Sequence, residues 1–365
     1  MKTLQQVKDE LINYSGPKIK IMEVCGTHTA SIFKHGIKSL ISPDIQLISG
    51  PGCPVCVTTS SYIDKLVEYS LQENTCVLTF GDMMKVKGSQ LSLSEAKAIG
   101  GKVIYLYSPL LAIQEAVAHP HIQYIFAAVG FETTTPIYAL MIEELRKRQI
   151  KNLKLLTSIK TMFPALTYLC EKEEVIDAFL CPGHVSVITG SHIYQELAKN
   201  YNKPFVVAGF EGEHILAAID EIVYQVTTKQ YHMKNLYVSA VSDQGNQKAQ
   251  ALVDQYFEVS DDIWRGIGII KESGLRLREE YQEYDAGSDT ELEIKANLSD
   301  SIMERQVGVL DRNSMPLGCS CTEVILGRIT PEECPLFQNV CTPINAIGPC
   351  MVSSEGACQI WYKHR

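Results

Sequence analysis

Six of the chain's twelve cysteines fall in its last 47 residues, spaced C-x-C-x12-C-x6-C-x8-C-x7-C from Cys319 to Cys358. Thiolates bind soft metals and carry electron pairs, so such a run points to one chemistry or the other. Zinc ribbons usually supply two C-x2-C-like knuckles, whereas this tail has one C-x-C, four single cysteines and little histidine nearby. An iron–sulfur cluster, with ligands arriving from several loops, suits that spacing better; a structural zinc or unligated thiols are the alternatives. A cubane takes about four thiolates, and the surplus pair could form a dithiol beside it that accepts its electrons one at a time. Proline and glycine flank the cysteines in Cys334-Pro335, Thr342-Pro343 and Gly348-Pro349-Cys350. Loops of that kind fix thiolate direction and turn N–H groups toward sulfur.

Two further cysteine sites lie near the N-terminus. In MEVCGTHTA (22–30), Cys25 ends an apolar run, Gly26 permits a sharp turn, and Thr27, His28 and Thr29 can open a helix. Unpaired N–H groups at that helix start are expected to stabilise a thiolate and lower its pKa. His28, three residues on, falls on the same side of the first turn. The pair suits a soft metal ion or an activated thiol, the alternative being a structural cysteine. Cys53-Pro54-Val55-Cys56 again follows a strand and precedes a helix beginning near Thr58. C-x-x-C at such a junction is the thioredoxin-like redox arrangement, and one such motif cannot close a tetrahedral zinc site by itself.

Other strand-to-helix turns carry polar clusters, among them TFGDMMKVKGS (79–89) with Asp82 and Lys85, and CPGHVSVITG (181–190) with His184. Several could face one cleft, although Asp82 also reads as a helix cap and His184 as a packed turn residue. Cys76, Cys170 and Cys181 lie in or beside apolar runs and read as small buried residues. A serine nucleophile, a P-loop and a dinucleotide-binding glycine fingerprint are all absent.

The elements that must position these residues alternate. Apolar runs at 18–24, 45–49, 76–80, 102–107, 124–129, 153–159, 178–181, 204–208 and 236–241 read as strands. Helical spacing fills intervals such as 60–72 and 135–149. That order implies parallel sheets of βαβ units. AAVGFETTTPIYAL (127–140) and VVAGFEGEHILAAI (206–219) both read as buried strand, Gly-Phe-Glu and helix start. They could mark equivalent turns that place Glu132 and Glu211 at a ligand site, or be tight turns with an acid facing the helix dipole. Beyond 242 a helix, a mixed segment WRGIGIIKESGLRL and a polar loop YDAGSDTELE precede the cysteine-rich tail. The expected architecture is α/β: two related βαβ-type domains with parallel sheets, 1–118 and 119–240, and a C-terminal iron–sulfur domain, 241–365.

An apolar fraction of 45%, a charged fraction of 21% and a net charge of −9 describe a soluble globular chain and argue against a general nucleic-acid binder. No signal peptide or membrane-length apolar run is evident, so a cytoplasmic location is expected. There thiols stay reduced, and metal or redox use outranks a disulfide framework.

MEVCGTHT, SGPGCPVCVT, TFGDMMKVKGS, VGFETTTP, CPGHVS, AGFE and the tail CSCTEVILG…CPLF…CTP…GPCMVSSEGAC together resemble the HypD family of [NiFe]-hydrogenase maturation factors, over essentially the whole chain. Lys85 and Lys87 stand where arginine and proline are expected. The resemblance implies two related α/β domains and a third carrying a [4Fe–4S] cluster. It implies work with a HypC-type chaperone to build the Fe(CN)2CO group, with a HypE-type partner, itself supplied by HypF, donating cyanide from a thiocyanate, and the hydrogenase large subunit served indirectly. By it, Cys25 shares the iron under assembly with the chaperone's N-terminal cysteine, and His28 lies nearby. The tail also resembles ferredoxin:thioredoxin reductase around its cluster. That likeness implies Cys319, Cys334, Cys341 and Cys358 as cluster ligands and Cys321 with Cys350 as a redox dithiol. Because releasing cyanide from a thiocyanate takes two electrons and a cluster usually passes one, a relay from that dithiol to Cys53 and Cys56 would store the pair. The alternative from another class is a free-standing iron–sulfur thiol–disulfide reductase, which leaves Cys25 and His28 idle.

Overall fold

The computed structural model describes residues 2–287 and 315–364. Its strands are β1 (Ile19–Glu23), β2 (Ile45–Ser49), β3 (Thr75–Thr79), β4 (Val103–Tyr105), β5 (Gln123–Gly130), β6 (Leu153–Lys160), β7 (Ala178–Cys181), β8 (Phe205–Val207), β9 (Met233–Asn235), β10 (Phe257–Trp264) and β11 (Gly268–Leu277). Two compact units share them. Met1–Cys53, Ala165–Gln247 and Gly318–Arg365 form the first, and Pro54–Pro164 with Lys248–Leu317 the second. Cuts near 118 and 240 therefore do not separate the compact units, and the cysteine-rich tail belongs to the first unit instead of standing as a third.

The first unit holds a five-stranded sheet in the order β2-β1-β7-β8-β9, every pair parallel. Strands β1, β2, β7 and β8 are buried almost throughout, as parallel strands covered on both faces are, whereas the edge strand β9 (Met-Lys-Asn) is not. Ile19 and Ile21 of β1, Leu180 of β7 and Val206 of β8 share one core with Ile32, Ile215 and Ile219 from the helices Gly26–Lys34 and Gly212–Thr228. The chain runs from β1 to β2 on one side and returns to β7 on the other. β1 is thus the topological switch point, beyond whose carboxyl end open α/β sheets bind their ligands.

The tail docks on this same unit. Trp361 meets the Phe33 ring edge-on, 5.1 Å between centroids. The Arg328 guanidinium forms a two-point bond with the buried Glu173 carboxylate at 2.7 and 3.1 Å. Gly327, at φ +71°, lies where a Cβ would come 2.6 Å from Met22 and 2.7 Å from Ile48.

The second unit orders its strands β10-β11-β6-β5-β3-β4. β6, β5, β3 and β4 are parallel neighbours, and β10 and β11 add an antiparallel hairpin. Here β3 is the switch point. Both units therefore share one parallel arrangement in which the first strand is flanked by the second and third and the fourth lies beyond the third. The helix Ser60–Leu71 starts where the Thr59 hydroxyl accepts the Tyr62 N–H, and Thr135–Lys147 carries proline in its first turn.

Two sequence readings change. LYVSAV (236–241) is not a strand: β9 lies just upstream, and the Asn235 side chain folds the next residues into a turn, accepting the Tyr237 N–H at 2.9 Å and donating to the Val241 carbonyl at 2.8 Å. The helix read over 242–261 ends at Tyr256, its last residues open β10, and WRGIGIIKESGLRL (264–277) completes the β10–β11 hairpin, turned through Gly266 and Gly268 at φ +77° and +105°. The polar loop expected over 284–293 lies outside the described residues from 288 onward. Among the described residues no helix is long and apolar enough to cross a membrane.

Candidate functional site

Cys25 stands at the carboxyl end of β1, as N-cap of the helix Gly26–Lys34, with extended backbone (φ −148°, ψ 120°). Its sulfur accepts the N–H groups of Thr27 and His28 and the Thr27 hydroxyl, the contacts a thiolate at a helix start should find. The expected lowering of its pKa does not occur. Burial outweighs those bonds and pushes the thiol up to about 11, with the Glu355 carboxylate adding to the rise. Cys25 is therefore a buried thiol lined with donors, one that a bound cation can deprotonate.

His28 is fully buried, and its Nε2 lies 3.3 Å from both the Ala208 and Gly209 carbonyls. Two acceptors at one nitrogen require the proton there, which leaves Nδ1 as a lone pair, buried and without a hydrogen-bond partner. Burial holds the ring neutral, lowering its pKa to about 4. Phe210 packs against it at 4.6 Å, with the exposed His184 on Phe210's other side at 4.1 Å. The second Gly-Phe-Glu thus contributes its phenylalanine. Its Glu211 is exposed and lies 3.9 Å from His35.

Two glycines bring other segments against this strand end, and a third closes the tail loop on itself. A Cβ on Gly52, just before Cys53, would come 2.6 Å from the Cys25 nitrogen and 2.7 Å from its Cα. A Cβ on Gly26 would meet the Glu355 carbonyl at 2.4 Å, so the tail loop between Cys350 and Cys358 packs directly on Cys25's neighbour. At Gly356 it would meet the Cys350 carbonyl at 2.2 Å. Cys53 and Cys56 are disulfide-bonded, and the other ten cysteines take part in no disulfide.

Within the tail, Cys350 hydrogen-bonds to Cys321 and Cys358. The bonds from Cys321 and Cys350 favour thiolate at Cys358, whose pKa falls to about 6. Cys341 accepts the Ile347 N–H at 3.4 Å and that of Gly348. Gly348 leaves open a position where a Cβ would meet the sulfurs of Cys319 and Cys321 at 2.4 and 2.6 Å. Five thiols converge in this way. Cys334 is buried, but no sulfur–sulfur interaction of it occurs among the described residues. Among those residues no three His, Cys, Asp or Glu side chains already close around a single metal ion. The donor chemistry, the N–H bonds to sulfur and the space at Gly348 fit an iron–sulfur group in kind.

The second unit holds the remaining candidates. Asp82 lies in the short 3-10 helix Gly81–Lys85 after β3. Glu132, in the first Gly-Phe-Glu, accepts the Met162 N–H at 2.7 Å through Oε1, while Oε2 is buried without a partner. Burial raises its pKa to about 7. The two Gly-Phe-Glu turns are not topological equivalents. The first follows β5, which flanks its switch strand, and the second follows β8, one strand further out.

Sequence reading missed Glu23, the buried last residue of β1, whose Oε1 accepts the Thr29 hydroxyl at 2.6 Å. The available signal was an acid closing an otherwise apolar run.

Fold and site define an α/β protein with a cysteine–histidine pair at the switch point of a parallel sheet and a convergent thiol tail on the same unit. The chain belongs to the HypD family: the model of the family described as the hydrogenase formation hypA family, HypD, matches residues 1–365. Among similar proteins, hydrogenase maturation factor HypD of Escherichia coli is 39% identical over 349 residues, covering 95% of this chain and 89% of that one. Its counterpart of the same name in Cupriavidus necator is 37% identical over 358 residues, covering 96% and 90%. A hydrogenase expression/formation protein of Methanocaldococcus jannaschii is 38% identical over 349 residues, covering 95% and 92%.

Proposed function

We propose that the chain is an assembly scaffold for the Fe(CN)2CO group of [NiFe]-hydrogenase, holding the iron through Cys25 together with a cysteine of a HypC-type chaperone. The iron is cargo, not a resident cofactor. The observation that carries this reading is the pair formed by a donor-lined buried thiol and a buried neutral imidazole, His28, whose Nδ1 lone pair is unused. A soft thiolate and a neutral imidazole suit electron-rich iron. Glycines 26 and 52 let the Glu355 segment and the turn before Cys53 approach Cys25 closely.

Cyanide delivery sets the electron count. A thiocyanate on the HypE-type donor takes up two electrons as its S–C bond breaks, giving cyanide and a restored thiolate. Oxidation of two thiols to a disulfide releases such a pair, and the bonded Cys53 and Cys56 represent the spent form of that couple. The six tail cysteines divide between a cluster held by Cys319, Cys334, Cys341 and Cys358 and the dithiol Cys321/Cys350. The cluster supplies single electrons when bound. The hydrogen bond between Cys321 and Cys350 is what such a dithiol requires, and Cys350 bonds Cys358 of the ligand set as well.

An infrared spectrum of the anaerobic protein copurified with its chaperone tests the proposal. Bands of iron-bound carbon monoxide and cyanide are expected, and Cys25→Ala is expected to abolish them while tail iron is retained. If the bands persist in Cys25→Ala, the scaffold reading fails. The reductase alternative, which the disulfide-bonded C-x-x-C favours, predicts undiminished disulfide turnover in the same variant.

A further inference from the structure

The acid that closes β1 lies outside both the iron-binding pair and the redox thiols. Glu23 is 3% exposed, and among the described residues no basic side chain lies within ion-pair distance of it, although the Lys38 charge acts on it at longer range. A carboxyl buried without a paired counter-charge is costly, and glutamine would fill the same space more cheaply, so its presence calls for a reason. Three donors converge on it: the Thr29 hydroxyl at 2.6 Å, the Ser49 hydroxyl and the backbone N–H of Cys25. Its own carbonyl accepts the Gly50 N–H at 2.7 Å. One residue therefore ties the end of β1 to the first turn of the following helix and to the end of β2. It also grips both segments that touch Cys25, namely that helix and the Ser49–Gly52 loop.

We infer that Glu23 is the positioning residue for Cys25: by holding the Cys25 amide together with Thr29 and Ser49, its carboxyl fixes the direction in which the Cys25 sulfur leaves the backbone. This rests on the reading of Cys25 as an iron ligand, but the geometry can be tested without iron. With the amide fixed, the sulfur reaches the Thr27 and His28 N–H groups. Without it, Cys25 can rotate toward solvent. Glutamine keeps an oxygen for the Cys25 N–H, and the Thr29 and Ser49 hydroxyls can reverse to accept from its NH2 group. Alanine keeps nothing.

The test is alkylation of the iron-free full-length protein with iodoacetamide at one fixed pH, with each cysteine-containing peptide quantified by mass spectrometry. Cys25 is expected to label at least tenfold faster in Glu23→Ala, with Cys181 and the tail cysteines unchanged, and Glu23→Gln is expected to restore the slow rate to within threefold. A Cys25 rate in Glu23→Ala within threefold of wild type, or slower, overturns the inference. So does a Gln variant as fast as the Ala variant, since charge rather than position would then matter. Should Glu23→Ala fail to fold, Thr29→Ala, which removes one of the three donors, is expected to raise Cys25 labelling two- to fivefold, and no change there counts against the inference. Labelling is read without the infrared bands, so the scaffold reading and the positioning role can fail separately.

Discussion

The two compact units use one strand arrangement and do different things with it. In both, the first strand is the switch point, flanked by the second and third. Beyond β1 stands Cys25, covered by the tail loop at Glu355; beyond β3 stands Gly81, where a Cβ would meet nothing within 4 Å. The first unit has taken on a cysteine-rich tail, and the second an antiparallel hairpin, anchored where buried Lys160 pairs with Asp262 at 2.7 Å. A shared sheet therefore supplies a switch point, and the elements packed on it decide the chemistry.

The largest expected effect asks whether the first unit's chemistry divides between strand end and tail. Cys358→Ser removes the thiol bonded to Cys321 and Cys350 and is expected to eliminate nearly all protein-bound iron and sulfide, while Cys25 labelling stays within twofold of wild type. Coupled loss of both would show that Cys25 and the tail thiols behave as one site, as the packing of the Glu355 loop on Gly26 would allow. In cluster-free protein the two thiols should also differ in kind. With pKa values of about 11 for Cys25 and about 6 for Cys358, thiolate populations at neutral pH differ by roughly four powers of ten. The weaker nucleophilicity of the low-pKa thiolate trims this to roughly 30- to 100-fold in alkylation rate. Cys25 labelling should climb through pH 9 to 10, while that of Cys358 is already near its plateau at pH 7. Matching profiles would erase the contrast.

Strand content was legible because buried parallel strands read as unbroken apolar runs, and β1, β2, β5, β6 and β7 fall where those runs lie. β9 was misplaced because LYVSAV has the composition of a strand, yet the Asn235 side chain claims the backbone groups that pairing would need. The hairpin was obscured by its glycines, which weaken any strand pattern. Interleaving of the units could not be read at all, since a contiguous pattern carries no record of which stretch returns to which sheet. Cys25 and His28 were legible from one turn of helix, but the direction of the thiol's pKa shift was not. The N–H donors are local and visible in sequence, whereas the burial that overrides them comes from segments hundreds of residues away, such as Glu355.

Next in size come the glycines after the two switch strands. Gly26→Ala drives a Cβ to 2.4 Å from the Glu355 carbonyl, a backbone atom that cannot swing aside. Overpacking of this kind costs about 1–3 kcal/mol. Gly81→Ala enters open space and should change stability by less than about 0.5 kcal/mol. Urea unfolding of both variants measures the difference. Equal effects would mean that the tail does not seal the first switch point, and the comparison between the units would lose its basis.

The smallest contrast lies between the two Gly-Phe-Glu turns, similar in sequence but not in position. Glu132 has a buried carboxyl whose pKa is raised to about 7, whereas Glu211 is exposed. In the window from about 4.5 up to 7 the folded chain binds a proton at Glu132 that the unfolded chain has released, so the stabilising contribution of the neutral acid, complete below that window, is lost as pH rises through it. Glu132→Gln abolishes this dependence. Its thermal stability should match wild type near pH 4 and exceed it above pH 7, by at most about 3 kcal/mol and more realistically about 1–2 kcal/mol once local relaxation is allowed. Glu211→Gln should stay within about 0.5 kcal/mol of wild type throughout. A Glu132→Gln advantage that is constant with pH would show that its carboxyl does not change charge in this range. The buried oxygen Oε2 would then have to find a partner, and the two turns would be alike in function as well as in sequence.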